Sequence, residues 1–147
     1  MTKVLALILR WGLGTLILVA GSLKLRAPAT FSTEIANYQI WPALAPLLAS
    51  TLPVIEILLG VGLLIFPWAW RRAATWGALA LLVTFAGAVG AAYFRRINID
   101  CGCFGTGGSP ITILTLLRNL ALIGAAAALL YLDRPRRFSP SPPSPET

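Results

Sequence analysis

The sequence predicts an all-α membrane protein, a four-transmembrane-helix bundle with both termini cytoplasmic. Three observations carry that expectation. Of 147 residues, 57% are hydrophobic and only 12% are charged, with a mean hydropathy of +0.79, too little polar surface for a water-soluble domain of this length. The apolar residues gather in four runs, each near the roughly 20 residues that a helix needs to cross a bilayer core of about 30 Å. Lysine and arginine cluster at the ends of those runs, where they mark topology.

Span one is expected over Val4–Leu23. It follows Lys3 and ends in "LVAGS", which resembles a secretory leader, but the apolar run is too long for an ordinary leader core and is read as a span. Span two is expected over Ala43–Phe66, span three over Ala73–Phe94 and span four over Ile111–Leu132. Residues 1–133 thus form one membrane domain. The remaining stretch, 134–147, reads "RPRRFSPSPPSPET"; its prolines and serines cannot build a core, and it is expected to be a disordered cytoplasmic tail.

With the N-terminus inside, the inner side holds six basic residues: Lys3, Arg71, Arg72, Arg134, Arg136 and Arg137. The outer side holds four, Lys24, Arg26, Arg95 and Arg96, of which two sit at helix ends and can snorkel. That bias favours cytoplasmic termini in a bacterial inner membrane. The net charge of +7 therefore reads as topology rather than nucleic-acid contact, and no basic patch interleaved with aromatics supports a nucleic-acid partner. Trp41, Trp68, Trp70 and Trp76 suit interfacial belts. Glycines 12, 14, 21, 60, 62, 77, 87 and 90, with the run Ala125–Ala128, suit close helix packing.

Chemistry must run without histidine, which is absent, so the commonest general base and metal ligand are missing. The two cysteines lie two residues apart in "IDCGCFGTGGSP", between spans three and four. On the outer face a disulfide can persist. Cys101–Gly102–Cys103 brings the Cα atoms within disulfide range, with glycine free to take the required dihedrals. A loop this short adds little constraint to the unfolded chain, which argues against a stabilising staple. Strain makes such a bond easier to reduce, which favours a working redox pair. Ser109 and Pro110 suit the start of the span-four helix, and a helix N-terminus or a nearby arginine would favour the thiolate. Asp100 opposes ionisation and could instead relay a proton. Cys101 is taken as the attacking thiol. Two readings stand beside this one: capture of a soft ion such as Cu(I) or Hg(II) by two thiolates, and a glycine-rich loop with incidental thiols. No metal site is assigned.

Arg10, Glu56 and Arg118 fall inside the spans, where each is costly unless paired or facing a polar cavity. At 1.5 Å per residue, Glu56 lies about 18 Å and Arg10 about 20 Å below the outer face, so an Arg10–Glu56 ion pair is expected. Arg118 is shallower, about 11 Å down, near the cysteine loop. Pro53 is expected to kink span two one turn before Glu56. Such a pair either fixes helix register or marks a proton or quinone site. Lys24, Glu34 and Tyr38 would form the mouth of that pocket, or a solvated loop.

These pieces resemble the MauE/DoxX family of redox-associated membrane proteins, most closely its methylamine-utilisation MauE branch. The resemblance rests on "GSLKLRAPATF", "IANYQIWP", "LPVIEILLGVGLL", "DCGCFG" and "LRNLALI", which fall in order over most of Leu9–Leu122. It implies a four-helix bundle with Cys101 and Cys103 as the redox pair and Lys24, Tyr38, Glu56 and Arg118 as supporting polar positions. It also implies a periplasmic thioredoxin-like or disulfide-containing partner, and its wider relatives allow a quinone. The expected function is an inner-membrane thiol–disulfide relay, either an oxidoreductase or an accessory subunit of one, in a homo- or hetero-oligomer. The alternatives are a soft-metal module and a non-catalytic subunit that recruits a redox enzyme.

Overall fold

The computed structural model describes residues 2–96 and 112–134. Five α-helices fill them: α1 Thr2–Arg26, α2 Pro28–Asn37, α3 Ala45–Leu64, α4 Trp68–Phe94 and α5 Ile113–Leu132, with a single 3-10 turn over Pro42–Leu44 leading into α3. Four stretches are long and apolar enough to cross a membrane: Thr2–Arg26, Pro42–Leu64, Ala69–Phe94 and Ile113–Leu132. The chain is a multi-pass membrane protein built as a four-helix bundle.

The bounds follow local chemistry. Pro28 opens α2, where its missing N–H is one of the donors that a first turn leaves unpaired anyway. The turn Ile65–Pro67 is short, so α3 and α4 must run antiparallel. Helix α4 begins at Trp68, several residues before the expected Ala73, so Arg71 and Arg72 belong to its first turns. The N-cap of α5 is Thr112, whose N–H donates to Thr115 Oγ1 at 3.4 Å. The Ser109–Pro110 start expected for that helix falls outside the described residues. Helix α3 continues through Pro53.

Around the bundle the order is α1, α3, α4, α5, each packing on the next and α5 closing on α1. The α1–α3 contact is the most extensive, and small residues explain it. A Cβ on Gly14 would lie 2.9 Å from Leu64, one on Gly60 would lie 3.0 Å from the Gly14 carbonyl, and one on Gly21 would lie 2.8 Å from the Pro53 carbonyl. These contacts set the register: Gly14 faces Leu63 and Leu64, and Gly21 faces Pro53 and Glu56. Gly12, Gly87 and Gly90, also expected at packed interfaces, meet nothing within 4 Å. Of the alanine run, Ala126 is the buried member.

The exterior rather than the core sets this bundle apart from a soluble one. Leu13, Ile17, Leu63, Leu82 and Leu129 pack with small alanines at its centre. Large apolar side chains such as Ile8, Leu58, Val83 and Leu120 face outward, where hydrocarbon rather than water is the solvent. Trp41, Trp70 and Trp76 are exposed as well. The polar residues Lys24, Glu56, Thr75, Thr115 and Asn119 are buried. The stretch after span one, expected to be an outer loop, forms α2, which packs mainly on α3 and buries Phe31. Lys24 lies toward the α2 end of the bundle, whereas Thr75 lies in the first turns of α4 at the other end.

Candidate functional site

The bundle joins a lysine and a glutamate at its polar centre. Lys24 Nζ lies 2.5 Å from Glu56 Oε1 and donates a hydrogen bond to it. The two residues are 1% and 3% exposed. Helix register produces the pair. Gly21 lets the α1 backbone approach α3 beside Glu56, and Lys24 lies one turn further on, within reach of its flexible stem. Its ammonium also lies 4.7 Å from the Phe85 ring centroid and 5.1 Å from that of Phe31. The faces of these rings attract a desolvated cation.

The expected Arg10–Glu56 pair does not form. Gly21 marks the level of Glu56 on α1, and Arg10 is eleven residues away, about 16 Å along the helix. That is too far for a guanidinium. Arg10 pairs instead with Asp133 at the C-terminal end of α5, its Nη2 lying 2.9 and 2.8 Å from the two carboxylate oxygens. The depth comparison failed because the tops of the first two spans are not level. Residues near the start of α3 rise past the end of α1 and are covered by α2 instead.

Lys24 and Glu56 line a cavity of about 40 Å³, together with Arg118, Asn119 and a wall of apolar side chains including Leu81 and Phe85. Arg118, expected to be shallower than Glu56 and near the cysteine loop, lines the same cavity as Glu56. Asn119, one residue further along α5, is 4% exposed and was not singled out from the sequence. An amide amid apolar neighbours within a span was the signal available.

A second, larger pocket of about 380 Å³ opens nearby, between α2, the first half of α3 and the stretch Leu81–Ala88 of α4. Its walls are Phe31, Ile35, Trp41, Leu48, Leu52 and Phe85, with Glu34 and Tyr38 contributing polar groups. The volume falls in the range of small-molecule sites, which are mostly apolar with a few placed polar groups. Burial, and then the negative charge of Glu34, push the Tyr38 phenol up to about 12, so it stays a protonated donor at any physiological pH. Leu81 and Phe85 line both spaces and form the wall between them. Lys24, Glu34 and Tyr38 were expected at the mouth of one pocket. Lys24 lies in the inner chamber, and the other two line the outer pocket.

Cys101, Cys103 and Asp100 lie outside the described residues. The flanking helices are described: α4 contributes Thr84, Phe85 and Ala88 to the pocket beneath α2, and α5 starts close before Arg118. The C-terminal end of α4 and the N-terminal end of α5 therefore lie toward the α2 end. Among the described residues, no group of three or more His, Cys, Asp or Glu side chains is placed to hold a metal ion.

The family model for the methylamine utilisation protein MauE matches residues 2–132. The chain belongs to the MauE family. It is 40% identical over 124 residues to the methylamine utilization protein MauE of Paracoccus denitrificans, a match covering 82% of this chain and 66% of that relative. The chain thus spans just under two thirds of the length of this MauE relative. No solved structure matches it.

Proposed function

We propose that this MauE-family chain is a membrane thiol–disulfide relay serving methylamine utilisation, with Cys101 and Cys103 as its working pair. The observation that carries the reading is the convergence at one end of the bundle. The helix ends flanking the Cys-Gly-Cys segment lie toward the same end as the Lys24–Glu56 pair and the apolar pocket. The similarity to the methylamine utilization protein MauE of Paracoccus denitrificans supports a place in that pathway.

In the relay, one thiolate of the pair attacks a disulfide of a periplasmic thioredoxin-like or disulfide-containing partner. A mixed disulfide forms and the partner's second sulfur leaves as a thiolate. The other cysteine then attacks the mixed disulfide, releasing a partner reduced by two electrons and leaving Cys101 and Cys103 oxidised. The steps run in reverse when the partner arrives as a dithiol. Turnover then needs a second partner that exchanges two electrons and two protons with the pair. A quinone couple fits that requirement, the quinol re-reducing an oxidised pair and the quinone re-oxidising a reduced one, and Phe31, Tyr38, Trp41, Leu48 and Phe85 would hold it in the outer pocket. The geometry that supports this is an apolar, aromatic-walled space with a protonated phenol donor. Buried Lys24 and Glu56 keep a polar centre beside it, across the Phe85 wall.

Trapping tests the proposal. Cys101→Ser and Cys103→Ser each leave one thiol, and one of them should accumulate a covalent partner adduct that reducing agent dissolves. The double variant should form none. If no adduct forms and the redox state of no partner changes, the relay is wrong.

A further inference from the structure

The outer pocket has one wall on α2 and the other on α4, with α3 as its floor. Both helices pack on α3, yet among the described residues α2 and α4 make no extensive contact with each other. The space between them is therefore a groove rather than a closed cavity. Its lip carries exposed residues: Trp41 and Leu44 at the start of the second span, and Thr84 on α4. Ten residues separate Thr84 from Phe94, where α4 ends, and ten separate Leu52 from Pro42, where the second span begins. Both walls thus reach about 15 Å in from the ends of their spans, well inside a hydrocarbon core of about 30 Å. The Thr84 hydroxyl donates to the Ala80 carbonyl at 2.9 Å, so this exposed threonine presents no bare donor to lipid.

Charge narrows the occupant. Among the described residues of the lining, Glu34 is the one charged side chain, and its negative charge reaches Tyr38, whose phenol it helps to push up. Lys24 is not among them: its ammonium lies against the Phe31 and Phe85 rings, bonded to Glu56. A phosphate headgroup in the groove would therefore meet a carboxylate and no cation. An ion of either sign would also lose its hydration against walls this apolar, at a large cost.

We propose that the outer pocket is a lateral groove that takes an uncharged amphiphile from the bilayer rather than a solute from water. The polar end of that ligand sits at Tyr38, and its apolar body runs down between α2 and α4 toward Leu52 and Thr84. A volume of about 380 Å³ holds a ring or the first part of a chain, and the open side lets a longer tail continue into lipid. For the quinone proposed above, the groove is the route from the membrane to the chain, which rests on that proposal. The groove itself requires only an uncharged amphiphile, and its failure would leave the thiol exchange of Cys101 and Cys103 untouched.

Photolabelling tests the groove, on the full chain in lipid vesicles. The probes are a diazirine-bearing long-chain alcohol, the phosphate monoester of that alcohol, and the alkylammonium of the same chain. The alcohol should label Leu48, Leu52 or Phe85 in the pocket saturably, whereas Leu58 and Leu120, which face outward, should be labelled in proportion to the probe. Thr84→Trp fills the lip and should lower the pocket labelling several-fold while the outward labelling stays unchanged; Ala88→Phe does the same from the next turn of α4 if the first variant does not fold. Pocket labelling that saturates no better than that of Leu58, that either ion matches, or that persists in a folded lip variant would overturn the groove. Competition by a short-chain benzoquinone reads the quinone separately: if it fails to displace an alcohol that labels saturably, the quinone leaves the groove and the groove stands.

Discussion

Replacing Lys24 with methionine keeps the stem and removes the charge, leaving Glu56 buried without its donor. At 2.5 Å and an effective dielectric constant of 20, the gross Coulomb attraction is about 7 kcal/mol. Desolvating the two ions offsets much of that, and removal of one partner from a buried pair typically costs about 3–5 kcal/mol. The aromatic contacts of the ammonium with Phe31 and Phe85 add about 0.5–2 kcal/mol to the Lys24 side. Lys24→Met and Glu56→Leu should therefore each destabilise the bundle by about 3–5 kcal/mol. The double variant removes both charges together and should cost less than either single change, because no uncompensated charge remains. Reversible unfolding in mixed micelles, followed by helicity and tryptophan emission, measures all three. Single effects below about 1 kcal/mol, or a double effect equal to the sum of the singles, would refute the reasoning.

Other expected outcomes follow from particular contacts. Gly21→Ala places a methyl group against the Pro53 carbonyl and the Glu56 side chain; backbone cannot yield easily there, and the same unfolding assay should show a loss of about 1–3 kcal/mol. Gly87→Ala, which meets open space, should instead be neutral or stabilise by up to about 1 kcal/mol. Breaking the half-buried Arg10–Asp133 pair with Arg10→Ala should cost about 1–3 kcal/mol, and the charge swap Arg10→Asp with Asp133→Arg should recover part of it. Tyr38, raised from 10.0 to about 12, favours the neutral phenol in the folded chain. Its contribution is fully present below pH 10 and disappears as pH rises through about 12. Ultraviolet titration should show a phenolate component near the upper value that is missing in Tyr38→Phe.

The spans were legible because a bilayer imposes their length: each must supply about 20 apolar residues, and no shorter pattern competes with that signal. Helix α2 was not, because "PATFSTEIAN" is short and mixed in character; it is held by the burial of Phe31 and its packing on α3. Its Pro28 is visible in the sequence as a helix start but also suits a loop. For the charged residues, identity was readable and partnership was not. Glu56 announces itself as a costly group inside a span. Its partner depends on which α1 residue lies level with it, and the contacts of Gly21 and Gly60 decide that. Lys24, one turn from the end of α1, has the position of a residue that snorkels to the interface, yet it folds inward onto Glu56. Asp133 sits at the edge of the tail, so its role as the Arg10 partner required the relative heights of α1 and α5. Asn119 carries no charge, and its burial beside Arg118 in the lining that also includes Lys24 and Glu56 follows from how α5 packs in the bundle.

The proposed relay requires Cys101 and Cys103 to switch between dithiol and disulfide. Alkylation of Cys101 and Cys103 in native membranes, with a reagent that shifts mass for each free thiol, reads that state directly. The account predicts a mixture of oxidised and reduced chains that moves toward one form when the methylamine pathway is induced or its thiol partner is deleted. Two thiols that stay reduced under every such condition, labelled only by reagents that reach the cytoplasmic face, would contradict it.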